Sequence, residues 1–313
     1  MEIDAVVPDV PAEPRAVLEA VAGRRREMEE FLADLVRVET PSLEPETMAP
    51  AFELLRGRLE ESGYRCRRRS GRETGGSLLA TRRQRRRGEP SQLLLGHVDT
   101  VWPVGTLEGM PLQRDRARMR GPGVYDMKGG LTQTLFALQA LRDLELDPEV
   151  EPVVFVNSDE EIGSGESDDI IRRLARIVDR TLVMEPSLGP SGKLKTARKG
   201  VHQYEVIVRG RAAHAGLNPE EGISAILELS YLIQRLFALN DTERGVSVNV
   251  GQIDGGMRPN VVAPQSRAWV DVRVPTRQDA ERIDAAIHDL EPSRDDVTVE
   301  VRCPEDSRAP MVP

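Results

Sequence analysis

VVFVNSDEEIGS, at residues 153–164, joins a short apolar run to two adjacent acidic residues, Glu160 and Glu161. The apolar residues 153–156 are β-branched or aromatic, which predicts a buried strand. If the backbone after this strand stays extended, the two carboxylates point to different sides. One can then bind a metal ion while the other takes a proton from water. An acidic loop that is simply solvated after a core strand is the alternative, and this pair taken alone would favour it.

A second apolar run ends in a similar way, in SQLLLGHVDTVWPVGT at residues 91–106. His97 and Asp99 are two residues apart, so an extended chain places their side chains on the same side. His97 can bind a metal ion, and Asp99 can orient or polarise the imidazole from behind. A capped turn at the end of a strand is the alternative.

Two further acidic residues occur in similar positions. Asp126 lies in GPGVYDMKGG, residues 121–130, where glycines allow the backbone to turn tightly, and Glu185 follows a third apolar run in LVMEPS, residues 182–187. Alone, each fragment is equally typical of a glycine loop or an acidic edge. Together, along an α/β pattern, they fit the rule that sites form outside the carboxyl ends of strands.

The chain changes character from Lys199 onward. GVHQYEVIVRG, residues 200–210, alternates as a strand does, and ISAILELSYLIQRLFAL, residues 223–239, has the spacing of an amphipathic helix. Two more strands are predicted in VSVNVGQIDGG and SRAWVDVRV, followed by a helix over residues 277–290. This order predicts a compact α+β insert.

Six motifs, GHVDTV, GPGVYDMKGG, NSDEEIGS, MEPS, RAAHAG and GGMRPN, occur in the order found in the M20 metallopeptidases. The chain resembles that family from about Glu30 to its last residue, and most closely its glutamate carboxypeptidase branch. The resemblance implies an α/β, zinc-peptidase-like catalytic domain with a mixed sheet flanked by helices, and an inserted α+β lid or dimerisation domain. The implied boundaries are 1–198 for the catalytic portion, 199–307 for the lid, and 308–313 for the start of the return to the catalytic domain.

The resemblance also implies a metal site with two Zn²⁺ ions. His97 and Glu185 resemble terminal ligands of one zinc, and Asp126 resembles the carboxylate that bridges both. Glu161 resembles a ligand of the second zinc. Imidazole nitrogen and carboxylate oxygen are ligands that zinc accepts.

Catalytic roles are implied in the same way. Glu160 resembles the general base that takes a proton from a zinc-bridging water, and Asp99 the residue that steadies His97. His214 in RAAHAG resembles a lid histidine that stabilises the oxyanion, often across a dimer interface. A histidine on an exposed loop is otherwise more often a surface residue.

Substrate contacts are implied for Lys193, Asn260 and Arg273, which would bind the terminal carboxylate of a substrate. An arginine suits this task because its guanidinium binds a carboxylate with two parallel hydrogen bonds. The alternatives are a loop lysine, a turn asparagine after Pro259, and an arginine on the solvent face of a strand.

The chain departs from the family pattern at its end. The family's chain returns from the lid to the catalytic domain and there supplies a histidine as the last ligand of the second zinc. This sequence has four histidines, at positions 97, 202, 214 and 288, and ends at Pro313. His202, on a predicted strand, and His288, on a polar helix, are interpreted as structural. We therefore expect a fragment whose second zinc site lacks its last histidine, with a degenerate relative as the alternative.

Composition fits a globular enzyme with two domains and a sizeable core. Lys and Arg number 43 against 52 Asp and Glu, a net charge of −9, so no overall basic field attracts nucleic acid. No stretch has the apolar length of a signal peptide or a membrane span. The two cysteines, Cys66 and Cys303, form no disulfide framework, which suits a reducing compartment. We expect a cytoplasmic protein with no nucleic-acid or membrane partner.

Two local features complete the prediction. The acidic, proline-rich N-terminus precedes a helix predicted over residues 14–38. The basic stretch at residues 65–87, which contains RCRRRS and TRRQRRRG, predicts a solvated pair of edge strands with their loop. An RNA-binding or membrane-surface role is the alternative there, and the lack of interleaved aromatic residues disfavours it.

The predicted reaction is hydrolysis of an amide bond next to a free carboxylate, as in a C-terminal glutamate or an N-acyl amino acid. The substrate is a small molecule, and a homodimer is expected through the lid. A deacylase acting on acetylornithine or succinyl-diaminopimelate is one alternative. A truncated chain that dimerises and has little or no catalysis is the other.

Overall fold

The computed structural model describes residues 11–84, 88–116, 118–189, 191–303 and 307–311. The chain divides into two compact units between Pro186 and Ser187. In the described residues, the first unit encloses two hydrophobic clusters and the second encloses one. No helix or strand lies between Val183 and Gly200 in the described residues, so this segment is irregular.

The first unit is built on a mixed five-stranded sheet. In the described residues the whole unit has the strands β1 (Tyr64–Arg69), β2 (Ser77–Arg82), β3 (Ser91–His97), β4 (Gln113–Arg114), β5 (Met119–Arg120), β6 (Glu151–Asn157) and β7 (Arg180–Val183). The sheet has the order β1-β2-β6-β3-β7, and β4 and β5 form a separate small hairpin. Strands β6, β3 and β7 are parallel, so their carboxyl ends meet at one edge. Every residue of β6 is buried, as predicted for a core strand.

Helices cover both faces of this sheet. The α-helices of this unit in the described residues are α1 (Ala12–Gly23), α2 (Arg25–Arg37), α3 (Ala49–Glu61), α4 (Thr106–Gly109), α5 (Gly129–Asp143) and α6 (Asp168–Ala175). Helices α2, α3 and α5 contribute Phe31, Phe52 and Phe136 to the larger core cluster. Ile170 and Leu174 of α6 pack in a second cluster with residues of β3 and β6. The predicted mixed sheet flanked by helices is confirmed.

Two local predictions for the first unit were wrong. The helix predicted over residues 14–38 is two helices, because Gly23 ends the first and Arg24 leaves helical geometry, with φ −102° and ψ 13°. The basic stretch does not form two edge strands. Strand β1 is an edge, but β2 lies between β1 and β6, because its apolar residues pack on both faces of the sheet. Residues 85–87 of that stretch lie outside the described residues.

In its described residues, the second unit is an antiparallel sheet with two α-helices. Its strands are β8 (Gly200–Arg209), β9 (Ser247–Gly255), β10 (Gln265–Val274) and β11 (Thr298–Arg302), in the order β11-β8-β10-β9, and its helices are α7 (Ala225–Phe237) and α8 (Arg277–His288). Alternate residues of β10 are buried, as expected for a sheet covered on one face. Both helices begin at hydroxyl caps, where Ser224 and Thr276 accept backbone N–H bonds. The predicted α+β unit is confirmed.

The core of the second unit forms between its sheet and its helices. Tyr204, Val270, Leu232 and Ile283 belong to one buried cluster. Toward the end of the chain, Arg308 forms an isolated bridge with Val201. In the described ranges, no helix has the length and apolarity required to cross a lipid bilayer.

Candidate metal centre

His97 is the last residue of β3, and its side chain is 1% exposed. The preceding Gly96 lets this strand approach the turn before α5, since an added Cβ would lie 2.7 Å from Met127 Cε. That turn spans Val124–Lys128, and Asp126 within it has extended geometry, with φ −115° and ψ 105°. Asp126 Oδ1 lies 3.2 Å from His97 Nε2 as a result.

The parallel strands bring two glutamates to the same imidazole. Strand β6 pairs with β3 in a register that places Asn157 opposite His97, so the chain reaches Glu160 three residues beyond the edge. Glu160 Oε2 lies 4.0 Å from His97 Nε2. Beyond β7, the Met184 N–H donates to the Leu95 carbonyl, and Glu185 Oε1 then lies 3.4 Å from His97 Nε2.

The ligand atoms fall into two groups that share His97. One group is His97, Glu160 and Glu185, and the other is His97, Asp126 and Glu161; within each, the candidate ligand atoms lie within 4.8 Å of one another. A nitrogen ligand with several carboxylate oxygens at this spacing fits zinc. The five residues predicted as metal ligands or general base therefore converge in the first unit.

Crowding of like charges governs the electrostatics of this site. Burial raises the pKa of Glu161 to about 7, and the charges of Asp126, Glu160 and Asp99 add to the effect. Burial and the charge of Glu185 likewise raise the pKa of Asp126 and of Glu160. Four carboxylates share a single imidazole, so a cation would relieve their mutual repulsion.

His97 itself is held on its other side by Asp99. Burial disfavours the imidazolium, yet hydrogen bonds to Asp99 and Glu185 and the surrounding negative charges raise the pKa of His97 to about 11. His97 Nδ1 lies 3.0 Å from the Asp99 carbonyl oxygen and 3.4 Å from Asp99 Oδ1. A hydrogen on Nδ1 directs Nε2 toward the carboxylates, which is the arrangement a metal-binding imidazole needs.

Asp99 is completely buried and remains ionised. Burial alone would raise its pKa, but hydrogen bonds and charge from His97, with further hydrogen bonds from Ser42 and the Glu161 N–H, hold the pKa below its usual range. The Glu160 N–H also points to this carboxylate, at 3.4 Å. Asp99 thus contacts both the predicted ligand His97 and the backbone that carries the predicted base.

Sequence reasoning missed several residues that shape this site. Lys128 is buried, and its Nζ donates to the carbonyls of Leu35 and Val38 at 3.1 and 2.8 Å, which ties the Asp126 turn to the end of α2. Burial lowers the pKa of Lys128 to about 7. Asp159, next to Glu160, accepts hydrogen bonds from the Ser167 hydroxyl and N–H. For Lys128, the signal in the sequence was an ionisable residue among apolar ones.

The remaining predicted site residues lie in the second unit. His214 is on an exposed loop beside the Asn260 turn, since Ala215 N–H donates to the Asn260 carbonyl. The His214 Nδ1 accepts from Gly216 N–H at 3.1 Å, so the neutral ring carries its hydrogen on Nε2. Lys193 is exposed and closes a turn with Leu188.

Arg273 lies elsewhere in this unit. It is near the end of β10, whereas the Asn260 turn precedes the start of that strand. Its guanidinium binds Asp271 of the same strand at 2.8 and 3.0 Å. The structure therefore brings His214 and Asn260 together, and it does not bring Arg273 to them.

The sequence and the fold have clear relatives. Residues 196–292 match the peptidase dimerisation domain of the M20 family. Carboxypeptidase G2 from Pseudomonas sp. (strain RS-16) is 30% identical over 262 residues, which cover 83% of this chain. This chain carries an M20 peptidase dimerisation domain and is a homologue of carboxypeptidase G2. Acetylornithine deacetylase from Myxococcus xanthus is 29% identical over 269 residues, 80% of this chain and 68% of that protein.

Solved M20-like structures share the fold at lower identity. Aminopeptidase PepT from Bacillus cereus superposes with a TM-score of 0.70 at 20% identity, covering 91% of this chain and 75% of that one. An M20 family metallo-carboxypeptidase from Sulfolobus solfataricus gives 0.65 at 16% identity, covering 91% and 79%. The chain spans 62% of the length of carboxypeptidase G2.

Proposed function

We propose that the chain carries the zinc site of an amidohydrolase that cleaves an amide bond next to a free carboxylate. The observation that supports this most is the meeting of His97 with Asp126, Glu160 and Glu185 at the edge where three parallel strands end. A buried imidazole among carboxylates offers both metal ligands and a base. Similarity to carboxypeptidase G2 supports the same reaction class.

We assign His97, Glu185 and Asp126 as the residues that would hold a first zinc. Asp126 and Glu161 would hold a second. Zinc held there would polarise the scissile carbonyl and lower the pKa of water to about 7. The other histidines, at positions 202, 214 and 288, belong to the second unit. We propose two zinc ions, and we propose that the second site lacks its last histidine ligand in this sequence.

Glu160 is the proposed general base. It accepts a proton from the attacking water and returns it to the leaving amine, so the products are a carboxylate and a free amine. Asp99 holds the His97 ring. His214, whose Nε2–H is exposed, is the proposed donor to the oxyanion. Lys193, Asn260 and Arg273 are the proposed partners of the substrate's carboxylate, and this would require Arg273 to release Asp271.

The first test is hydrolysis by zinc-loaded protein of a substrate panel. Folate-type and N-acyl glutamates are compared with acetylornithine and succinyl-diaminopimelate, because the acetylornithine deacetylase similarity favours the deacylase as a second candidate. Preference for the glutamates supports the proposal. Preference for the acylated diamino acids would favour the deacylase, and no turnover with zinc bound would favour a chain that dimerises without catalysis.

The second test addresses the base. Glu160→Gln should lower kcat by at least about 100-fold, since a positioned general base typically contributes this much. Zinc content should stay within twofold. Glu166→Gln is a matched control, because Glu166 lies on the same loop but accepts from Thr74 and belongs to neither candidate ligand group. Wild-type turnover in Glu160→Gln would refute the assigned base.

We also propose that the second unit is the lid and pairs with a second copy of the chain, and that the first is the catalytic portion. In the part of the chain that the structure describes, no strand pairs with the outer edge of β9. Helix α7 beside it exposes Ile226, Leu227, Tyr231 and Phe237. An open strand edge next to an exposed apolar face is suited to association.

Light scattering after gel filtration tests the dimer. Tyr231→Arg should convert the dimer to a monomer, because it places a charge on the apolar face. Ile177→Arg, an equally drastic change at an exposed isoleucine of the first unit, should not. A wild-type monomer at micromolar concentration would refute the proposal.

A cytoplasmic location is proposed on composition alone. The chain has two cysteines, Cys66 and Cys303, which give no disulfide framework. Cell fractionation with an antibody to the chain is the test.

A further inference from the structure

We propose that the segment ETPS, residues 39–42, positions the metal-binding end of β3, and that Ser42 is a positioning residue acting through Asp99. The inference rests on the proposed zinc site. The Ser42 hydroxyl bonds to Asp99 and not to an assigned ligand. Its hydroxyl donates to Asp99 Oδ2 at 2.7 Å, and both side chains are buried.

The segment runs alongside the chain just after β3. The Thr40 hydroxyl donates to the Val98 carbonyl at 2.7 Å, and the Thr100 N–H donates to the Thr40 carbonyl at 2.8 Å. The Ser42 N–H then donates to the Thr100 carbonyl at 3.3 Å. These bonds enclose Asp99 on both sides, so the backbone that carries its carboxylate is fixed.

Glu39 anchors the other end of the segment. Its two carboxylate oxygens accept from the N–H groups of Gly105 and Leu107, each at 2.8 Å. The preceding carbonyl, that of Val38, accepts from Lys128 Nζ. The segment therefore links the chain after His97 to the turn that carries Asp126.

The two oxygens of Asp99 have different partners. Oδ1 faces His97 Nδ1 and Glu160 N–H, each at 3.4 Å. Oδ2 accepts from Ser42 and, at 3.2 Å, from Glu161 N–H. The bond from Ser42 is the shortest of the four. A carboxylate rotates readily about its terminal torsion. Ser42 restricts that rotation and so keeps Oδ1 facing the imidazole and Oδ2 facing the loop of the base.

This arrangement gives Ser42 influence over two functions at once. The orientation of the His97 ring depends on Asp99, and so does the backbone of Glu160 and Glu161. Groups that orient metal ligands from behind typically change metal affinity or activity by about 10- to 100-fold when they are removed. Loss of the hydroxyl should therefore weaken zinc binding and slow turnover, while substrate binding is unchanged.

The test measures Zn²⁺ binding to metal-free protein by competition with a chromophoric chelator, in the absence of substrate. Ser42→Ala should weaken zinc affinity about tenfold or more. Ser42→Cys leaves no cavity, because its side chain is slightly larger than that of serine, but the thiol is a weak donor, so the variant should lose affinity without loss of packing. If Ser42→Ala does not fold, the Cys variant decides the question by the same readout. On an active substrate, kcat should fall while KM stays within twofold.

Ser62→Ala is the matched control. Ser62 is also a buried serine of the first unit, and its hydroxyl donates to the Arg58 carbonyl at 2.9 Å, in a helix end rather than at the site. Its removal should lower the unfolding midpoint and leave zinc affinity unchanged. Unchanged zinc affinity in both Ser42 variants, or an equal loss in Ser62→Ala, would overturn the inference. Because zinc binding is measured without substrate, failure of the proposed hydrolysis would not affect this result.

Discussion

His97 Nε2 and Asp126 Oδ1 lie 3.2 Å apart although 29 positions separate the two residues. One belongs to the end of a strand and the other to the turn before a helix, so their contact fixes the strand to the helix. The same nitrogen also faces Glu160 and Glu185. A cation at this point would hold together four separate segments of the first unit.

Zinc should therefore stabilise the fold. Binding to the native state alone adds about 2.7 kcal/mol at a free zinc concentration of 100 times Kd. Urea unfolding with zinc and with EDTA measures the difference. In His97→Ala the zinc-dependent gain should vanish, because the one nitrogen ligand shared by both groups is lost. A zinc-dependent increase in the free energy of unfolding as large as in wild type would contradict the assignment of His97 as a ligand.

Asp126→Asn should raise the stability of the metal-free protein and reduce the stability gained from zinc. The pKa of Asp126 is raised by burial and by Glu185, so at pH 7 its charge opposes folding of the metal-free protein. The amide removes that charge, and the variant should be more stable than wild type in EDTA. It should gain less from zinc, because an amide is a weaker ligand. Parallel urea titrations with EDTA and with zinc test both expectations. A variant less stable than wild type in EDTA would contradict the expected effect of the Asp126 charge.

Gly130 allows the start of α5 to approach the chain that leads to Glu185. A Cβ at this position would lie 1.9 Å from the Met184 carbonyl oxygen. Gly130→Ala should therefore lower both the unfolding midpoint and zinc affinity, because the backbone next to Glu185 must shift.

Gly57→Ala is the control for that change. Gly57 is an exposed residue within α3, and a Cβ there meets nothing within 4 Å. The substitution should stabilise the fold by about 0.5–1 kcal/mol, since alanine is the better helix former. Calorimetry of the two variants gives the comparison. Destabilisation by Gly57→Ala would contradict the claim that a Cβ at this position has free space.

Cys66 should react slowly with alkylating reagents. Burial, with help from the charge of Glu60, raises the pKa of its thiol to about 11. The thiolate is the reactive form, so at pH 8 alkylation by iodoacetamide should be about 200-fold slower than for an ordinary thiol of pKa about 8.5. The rate should rise about tenfold per pH unit until pH 11. Mass spectrometry of Cys303→Ser isolates this thiol, and a plateau near pH 9 would contradict the shift.

The sequence allowed the position of the candidate site to be predicted because its signals are local. Glu160 and His97 each end or follow an apolar run, and parallel strands bring such ends to one edge. The group of His97, Glu160 and Glu185 then follows from the register of β3 with β6 and β7, whereas Asp126 comes from the turn before α5. The α+β character of the second unit was visible for the same reason, since strand and helix periods differ.

Contacts between distant segments could not be predicted. Ser42 is 57 positions from Asp99, and no periodicity or motif around a serine that follows a proline predicts this contact. Lys128 gave a weak signal at most, because its partners are backbone carbonyls. The place of β2 inside the sheet likewise depends on pairing with β6, which lies about 70 residues further along the chain. Arg273 and Asn260 remain predicted substrate contacts.

The separate hydrophobic clusters of the two units have a consequence for the protein in a cell. Both candidate ligand groups come from the first unit, so metal-binding free energy is folding free energy of that unit. Zinc should therefore shift one of two thermal transitions and leave the other in place. Under zinc starvation, proteases would find the first unit open more often, while the second unit stays intact. Zinc supply would then set the lifetime of one half of the chain.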